Sequence, residues 1–321
     1  MLTLVSKEKT FMKSNMIPNI KETDFWRIRN FLREIFLLNG RVESSWHVAR
    51  WDYWRWHYIK TCQVFKSYEK VTTTWQQEDE SILAVLHPIG YGEVRLHIHP
   101  DFRTPEHEDE AFTFAEEHYS DVTDDGKRIL IVPVFESDTL RQKVLANRGF
   151  KKVPGWGHHY WYDLDSSLPS RVSPNGYEIR SMGMLDEHPA RCWSSWRAFH
   201  PDEPDEDYSG YSWYQNLQSA PLYRRDLDIV AVAPNNDIAA FCTIFYDDYT
   251  RSAVTVVVGT AAEYWRQGLG KAVMIEGMHR LKDMGCTRIF STSHEEPADA
   301  LYGSLMKEMK VSDSWVKVFK K

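Results

Sequence analysis

Cysteine is scarce in this chain. Cys62, Cys192, Cys242 and Cys286 are the only four among 321 residues, and no two form a CxxC pair. That spacing argues against a disulfide framework or a zinc site, so no metal is expected, and it suits a reducing cytoplasm. No run of about 18 apolar residues occurs, so no segment is expected to cross a membrane. Residues 1–15 place Lys7, Lys9 and Lys13 among short apolar pieces. They lack the continuous apolar segment and small-residue cleavage site of a signal peptide. A basic excess is also missing: 39 Lys and Arg face 46 Asp and Glu, for a net charge of −7. Nucleic acid, which calls for a basic stripe, is therefore not an expected partner.

What the chain does have is aromatic surface. Its 13 Trp, 16 Tyr and 15 Phe provide for a core with some left over for a pocket. Length and an ordinary apolar fraction suggest two globular domains. The clearest break lies at residues 163–177, where Ser, Pro, Asn and Gly replace large apolar residues. It divides the chain into 1–165 and 166–321. Hydrophobic spacing predicts the same order of elements in both parts. In the first, a helix at 24–38, with Trp26, Ile28, Phe31, Ile35 and Leu38 as its apolar positions, precedes strands near 72–76, 82–86 and 93–98. A helix at 106–119, a strand at 129–134 and a helix at 138–147 follow. In the second, a helix at 186–199 precedes strands at 229–233, 238–246 and 253–258, a helix at 268–284, a strand at 288–292 and a helix at 298–309. The expected class is α/β, or α+β, with helices on both faces of a sheet.

Chemistry concentrates after the strand that ends at Gly259. A turn carrying Arg266, Gln267, Gly268 and Gly270 opens directly into a helix whose Leu269, Val273, Gly277 and Leu281 share a face. Glycines there let backbone approach a ligand, and the free N–H groups of a helix start suit phosphate oxygens. Arg266 and Lys271 add positive charge. The arrangement reads as a pyrophosphate cradle. It is not a Walker A loop, and Val273 stands where a dinucleotide fingerprint needs its third glycine.

Residues 253–306 resemble the GNAT superfamily of acyl-CoA N-acyltransferases. The family motif Q/R-x-x-G-x-G/A is read at Trp265, Arg266, Gln267, Gly268, Leu269 and Gly270. Its later A-x-x-L-Y helix is read at Ala298, Asp299, Ala300, Leu301 and Tyr302. The first half is similar to a degenerate repeat. His99–Arg103 stands at the motif start, but Thr104, Pro105, Glu106 and His107 replace the glycines; Arg148, Gly149 and Phe150 match the usual end of the last helix. The resemblance implies tandem GNAT-like domains, each a mixed, mostly antiparallel sheet flanked by helices. It implies acetyl-CoA, or another acyl-CoA, held at Val256, Val257, Val258, Arg266, Gln267, Gly268, Leu269, Gly270 and Lys271. It implies transfer of an acetyl group to a small amine by direct attack on the thioester, with the Val258 N–H polarising the carbonyl and Tyr302 as acid. The alternative is a non-enzymatic acyl-CoA-binding or regulatory module. Two departures favour that alternative: Trp265 replaces the first Q/R, and Val256–Val258 lack the strand Glu that many relatives use as base.

The base is open among His294, Glu263, His200, Asp202, Glu203 and a residue acting through water. His294, after the fifth strand, is expected in the cleft, and Glu263 in solvent. The acidic run from Asp202 to Asp207 is read as a solvated face that could attract a cationic amine. Trp51, Trp54 and Tyr58 fall at helical spacing and are read first as core or domain interface, with Arg50, Arg55 and His57 on other faces.

Overall fold

A computed structural model describes residues 14–320. Residues 1–13, most of the stretch compared above with a signal peptide, lie outside the described residues. The first half contains β1 (Asn15–Pro18), α1 (Asp24–Leu38), α2 (Val48–Tyr53), β2 (Thr73–Gln76), β3 (Ile82–Gly90), β4 (Glu93–Ile98), α3 (Pro105–His118), β5 (Asp121–Val122), β6 (Arg128–Phe135), α4 (Thr139–Asn147) and β7 (Lys151–Asp163). The second contains β8 (Glu178–Ser181), α5 (His188–Phe199), α6 (Tyr214–Gln218), β9 (Asp228–Val232), β10 (Ile238–Asp247), β11 (Ser252–Thr260), α7 (Leu269–Asp283), β12 (Arg288–Ser293), α8 (Glu296–Leu305) and β13 (Glu308–Val318). All the strands belong to one mixed, mostly antiparallel sheet.

The centre of that sheet joins the two halves by exchange. β7, the last strand of the first half, pairs with β12 of the second. β13, the last strand of the second half, pairs with β6 of the first from Ser312 to Val318. The two exchanged strands also pair with each other. Trp315 of β13 is buried in the first half's core beside Val132 and Leu145. Each half thus completes the other's sheet.

Packing explains the helices. β10 is buried along its whole length because both its faces are covered. Phe241 and Phe245 join a cluster with α1, α2 and α5, whereas Cys242 and Ile244 join one with α7 and α8. The first cluster runs through both halves, uniting Phe25 and Trp51 with Tyr214 and Phe290. On α7 the four positions of the predicted apolar face are all buried. A Cβ at Gly277 would lie 2.4 Å from Ile244 Cδ1, so glycine lets this helix sit close on β10.

Several expectations are corrected. The buried stripe of α1 is Phe25, Ile28, Leu32, Ile35 and Phe36, with Phe31 beside it; Trp26 and Leu38 face solvent. The helix predicted to reach Met309 stops at Leu305, and the chain turns into β13. The regular helix expected through the aromatic run gives way after Tyr53 to a π-helical turn, Trp54–Ile59. Trp51 and Trp54 are core residues shared by the halves, as read, but the wider turn leaves Tyr58 half-exposed. His57 and Arg50 turn toward a cavity instead of outward.

Candidate active site

The site begins where two parallel strands separate. β11 and β12 pair only from Ser252 to Val254. Beyond that, β11 stays with β10 and β12 stays with β7. A bulge in β11 leaves Val256 as an extra residue opposite Thr243 and Ile244, which bends the strand away. The Thr255 and Ser291 hydroxyls lie 2.7 Å apart at the fork. Past it, the β11 edge that faces β12 has no strand to pair with among the described residues.

α7 starts at the far end of β11. Its N-cap, Gly268, is left-handed at φ 76°, and among the described residues no side chain caps the helix. The first N–H groups of α7 are therefore free, as at any uncapped helix start. Arg266 is also left-handed, at φ 61°. A Cβ at Gly270 would come within 3.2 Å of Thr260 Oγ1, so the helix start rests on the strand end. Tyr177 donates to Gln267 Oε1 at 2.6 Å, and the Trp265 indole donates to the Thr260 carbonyl at 2.7 Å. Trp265 thus fastens the loop to β11. Free N–H groups beside Arg266 and Lys271 are a donor set suited to a pyrophosphate, so the residues present fit an acyl-CoA.

The corresponding place in the first half is closed. Thr104 caps α3 by accepting from the His107 N–H, and Glu106 and Glu108 occupy the first turn. Arg103 is bound to Glu108 and Asp138, at 2.6 Å to each. Its helix start is capped and acidic, the reverse of what a phosphate needs.

Between the halves lies one cavity of about 960 Å³. It takes in the fork of β11 and β12 and a second fork, where β4 and β6 pair at Glu93 and Ile131 alone. Val256, Val257, Val258, His294 and Tyr302 line it together. Arg266, Gln267, Gly268, Leu269, Gly270 and Lys271 lie outside its wall, at the end of β11. Tyr302 is buried, and its pKa is pushed up by burial, with Thr255 acting in the opposite direction. Asp299, one turn earlier on α8, accepts from Tyr160 at 3.0 Å and is bonded to His158 at 2.5 Å, which ties α8 to β7.

His294 packs edge-on against Trp156, with ring centroids 4.2 Å apart. Its Nδ1–H donates to the Trp156 carbonyl at 2.9 Å, leaving Nε2 with the lone pair. Burial lowers its pKa, with the Trp156 carbonyl opposing. Gly157 makes room, since a Cβ there would sit 2.8 Å from the ring. Glu263 is exposed and paired with Arg197 at 2.6 Å. His200 reaches the cavity rim, 2.8 Å from Glu203, and the acidic run beyond it is exposed.

The sequence reading missed the cavity's charged interior. Arg50 binds Glu43 through Nε at 2.6 Å and Nη2 at 2.9 Å, and Nη2 also donates to Thr292 at 2.7 Å. Arg50 holds the buried Glu43 carboxyl down at about 2 against the upward push of burial. His159 bonds Thr292 and Ser312, and burial holds it neutral, at about 3. No local pattern marks these residues: Arg50 meets Thr292 only through the tertiary fold, and strand exchange brings His159 to Ser312.

Residues 185–306 match the acetyltransferase (GNAT) family. Among solved structures the chain is similar to a GCN5-related N-acetyltransferase from Sphaerobacter thermophilus, at 15% identity and a TM-score of 0.61 over 95% of this chain and 96% of that one. It is also similar to a tandem GNAT protein from the clavulanic acid biosynthesis pathway, at 14% identity and a TM-score of 0.62 over 95% and 98%. An acetyltransferase of the GNAT family from Colwellia psychrerythraea aligns at 12% identity and 0.56 over 95% and 100%. At these identities the likeness is one of fold. No curated protein matches the chain in sequence. The GNAT family match is thus confined to residues 185–306, while the fold over the chain's length is similar to that of a tandem GNAT protein. Among the described residues no helix is long and apolar enough to cross a membrane.

Proposed function

We propose that the protein is an acetyl-CoA-dependent N-acetyltransferase acting on a small amine. One observation carries this reading: β11 leaves β12 beyond Val254, with an uncapped helix start resting on the same strand's far end. Residues 166–321 form the acyl-CoA half, and residues 1–165 close the acceptor side. Acetyl-CoA, when bound, supplies the activated acetyl group. The backbone N–H groups of Leu269, Gly270 and Lys271 hold its phosphates, helped by Arg266 and Gln267, with Val256 and Val257 alongside. The Val258 N–H is the donor to the acyl oxygen. His294 Nε2 is the base we assign: its lone pair is free, and its lowered pKa keeps it neutral near pH 7. Tyr302 keeps its proton for the same reason of burial and gives it to the departing sulfur. Four free thiols suit a cytoplasmic setting.

Thermal unfolding with acetyl-CoA tests the reading. At about 100 times its dissociation constant the ligand adds roughly 2.7 kcal/mol. An unmoved melting temperature at millimolar acetyl-CoA would exclude the proposal. A shift without CoA release across an amine panel would leave a binding module.

A further inference from the structure

The first half has no phosphate cradle, yet its residues form much of the cavity wall. We infer that it binds the acceptor: the acceptor amine also carries an acidic group on a flat body, and Arg95 of the first half binds that group. The inference rests on the acyl-CoA reading of the second half.

Three guanidinium groups line the cavity in different states, and Arg141 is taken up by Glu108. Arg50 spends Nε and Nη2 on Glu43 and Thr292. Arg95 meets Glu93 through Nη2 at 2.8 Å, while its Nε is buried without a partner among the described residues. Its guanidinium lies over the Trp156 ring at 4.5 Å and near Trp46 at 5.8 Å. A stacked, part-desolvated fork with unmet hydrogen-bonding capacity is suited to a carboxylate or phosphate. Burial lowers the Arg95 pKa, with Glu93 opposing, so a bound anion would favour its charged form.

Trp156 links Arg95 to the proposed base. Arg95 lies over this ring, and His294 packs on it with ring centroids 4.2 Å apart. An acid held at Arg95 and the proposed base are therefore neighbours of the same ring. An amino acid, with its amine close to its acid, suits groups set around one ring. Trp46, Tyr58 and Trp156 offer flat surfaces to the rest of the molecule.

Matched acceptors test the inference, with CoA release measured at saturating acetyl-CoA. The pairs are L-tryptophan with tryptamine, L-phenylalanine with phenethylamine, and O-phosphoethanolamine with ethanolamine. The acidic member of a pair is expected to show kcat/KM at least about 10-fold above its neutral partner. The first two pairs report a carboxylate and the third a phosphate. Arg95→Gln should erase the preference mainly through KM, and Arg95→Lys should keep part of it. A retained acetyl-CoA melting shift shows that each variant is folded. Preference for the neutral amines, or a preference unchanged in Arg95→Gln, overturns the inference. So does the absence of CoA release from every acceptor while acetyl-CoA still stabilises the protein; acyl-CoA binding would then stand without this acceptor class. If acetyl-CoA leaves the wild-type melting temperature unmoved, the underlying reading fails first.

Discussion

Replacing Arg50 with Met strands a carboxylate inside the cavity wall. Glu43 is 6% exposed and accepts two bonds from Arg50. Holding its pKa at about 2 instead of 4.5 is worth roughly 3 kcal/mol. The folded value is depressed, so this stability is present above pH 4.5 and lost as pH falls toward 2. Without Arg50, burial dominates and the folded pKa of Glu43 rises above its unfolded value. The sign then reverses, and the variant is least stable where Glu43 must be charged. At pH 7.5, Arg50→Met should lose about 3–5 kcal/mol, the usual cost of an unpaired buried charge. At roughly 2 °C per kcal/mol for a chain this long, the melting temperature falls by about 6–10 °C. Lowering the pH to 5.5 should narrow the gap from wild type. His47 and His159, held at about 4 and about 3, stay neutral in the wild type over that range. Adding Glu43→Gln should recover much of the loss. Urea or thermal denaturation at the two pH values gives the comparison. A deficit below about 1 kcal/mol, or one independent of pH, would refute the reasoning.

Tyr302→Phe should lower turnover by about 10²-fold or more with little change in acetyl-CoA affinity, measured as kcat against the melting shift; unchanged kcat would remove Tyr302 as the acid. Gly268→Glu puts a carboxylate at the proposed phosphate site and a side chain in a left-handed conformation, at a folding cost of about 1–3 kcal/mol. It should abolish the acetyl-CoA melting shift, and a retained shift would move the cradle elsewhere. Ending the chain at Lys307 removes β13, leaving the facing edges of β6 and β7 bare and the first half's core without Trp315. The truncated chain should lose cooperative unfolding by calorimetry, and a wild-type transition would show the exchange to be dispensable.

The glycine loop could be read from residues alone because its determinants are close together in the chain. A β-branched strand, two glycines and an amphipathic helix fall within one short segment, and α1, β4 and α7 likewise carry their own periodicity. The exchanged strands had no such signature. In β7, Lys151–Gly155 are exposed, and nothing nearby marks Val153 as the partner of Ser314. The same holds for Trp51 and Trp54, correctly read as core, beside an Arg50 whose inward position is held by Glu43 and by Thr292 in the other half. By itself the sequence determined the strand–turn–helix unit, its resemblance to the family matched at residues 185–306, and the absence of such glycines at Thr104–His107. Tertiary structure alone decided that the first half lines the cavity, because only pairing across the whole chain brings Arg95, Trp156 and His294 together.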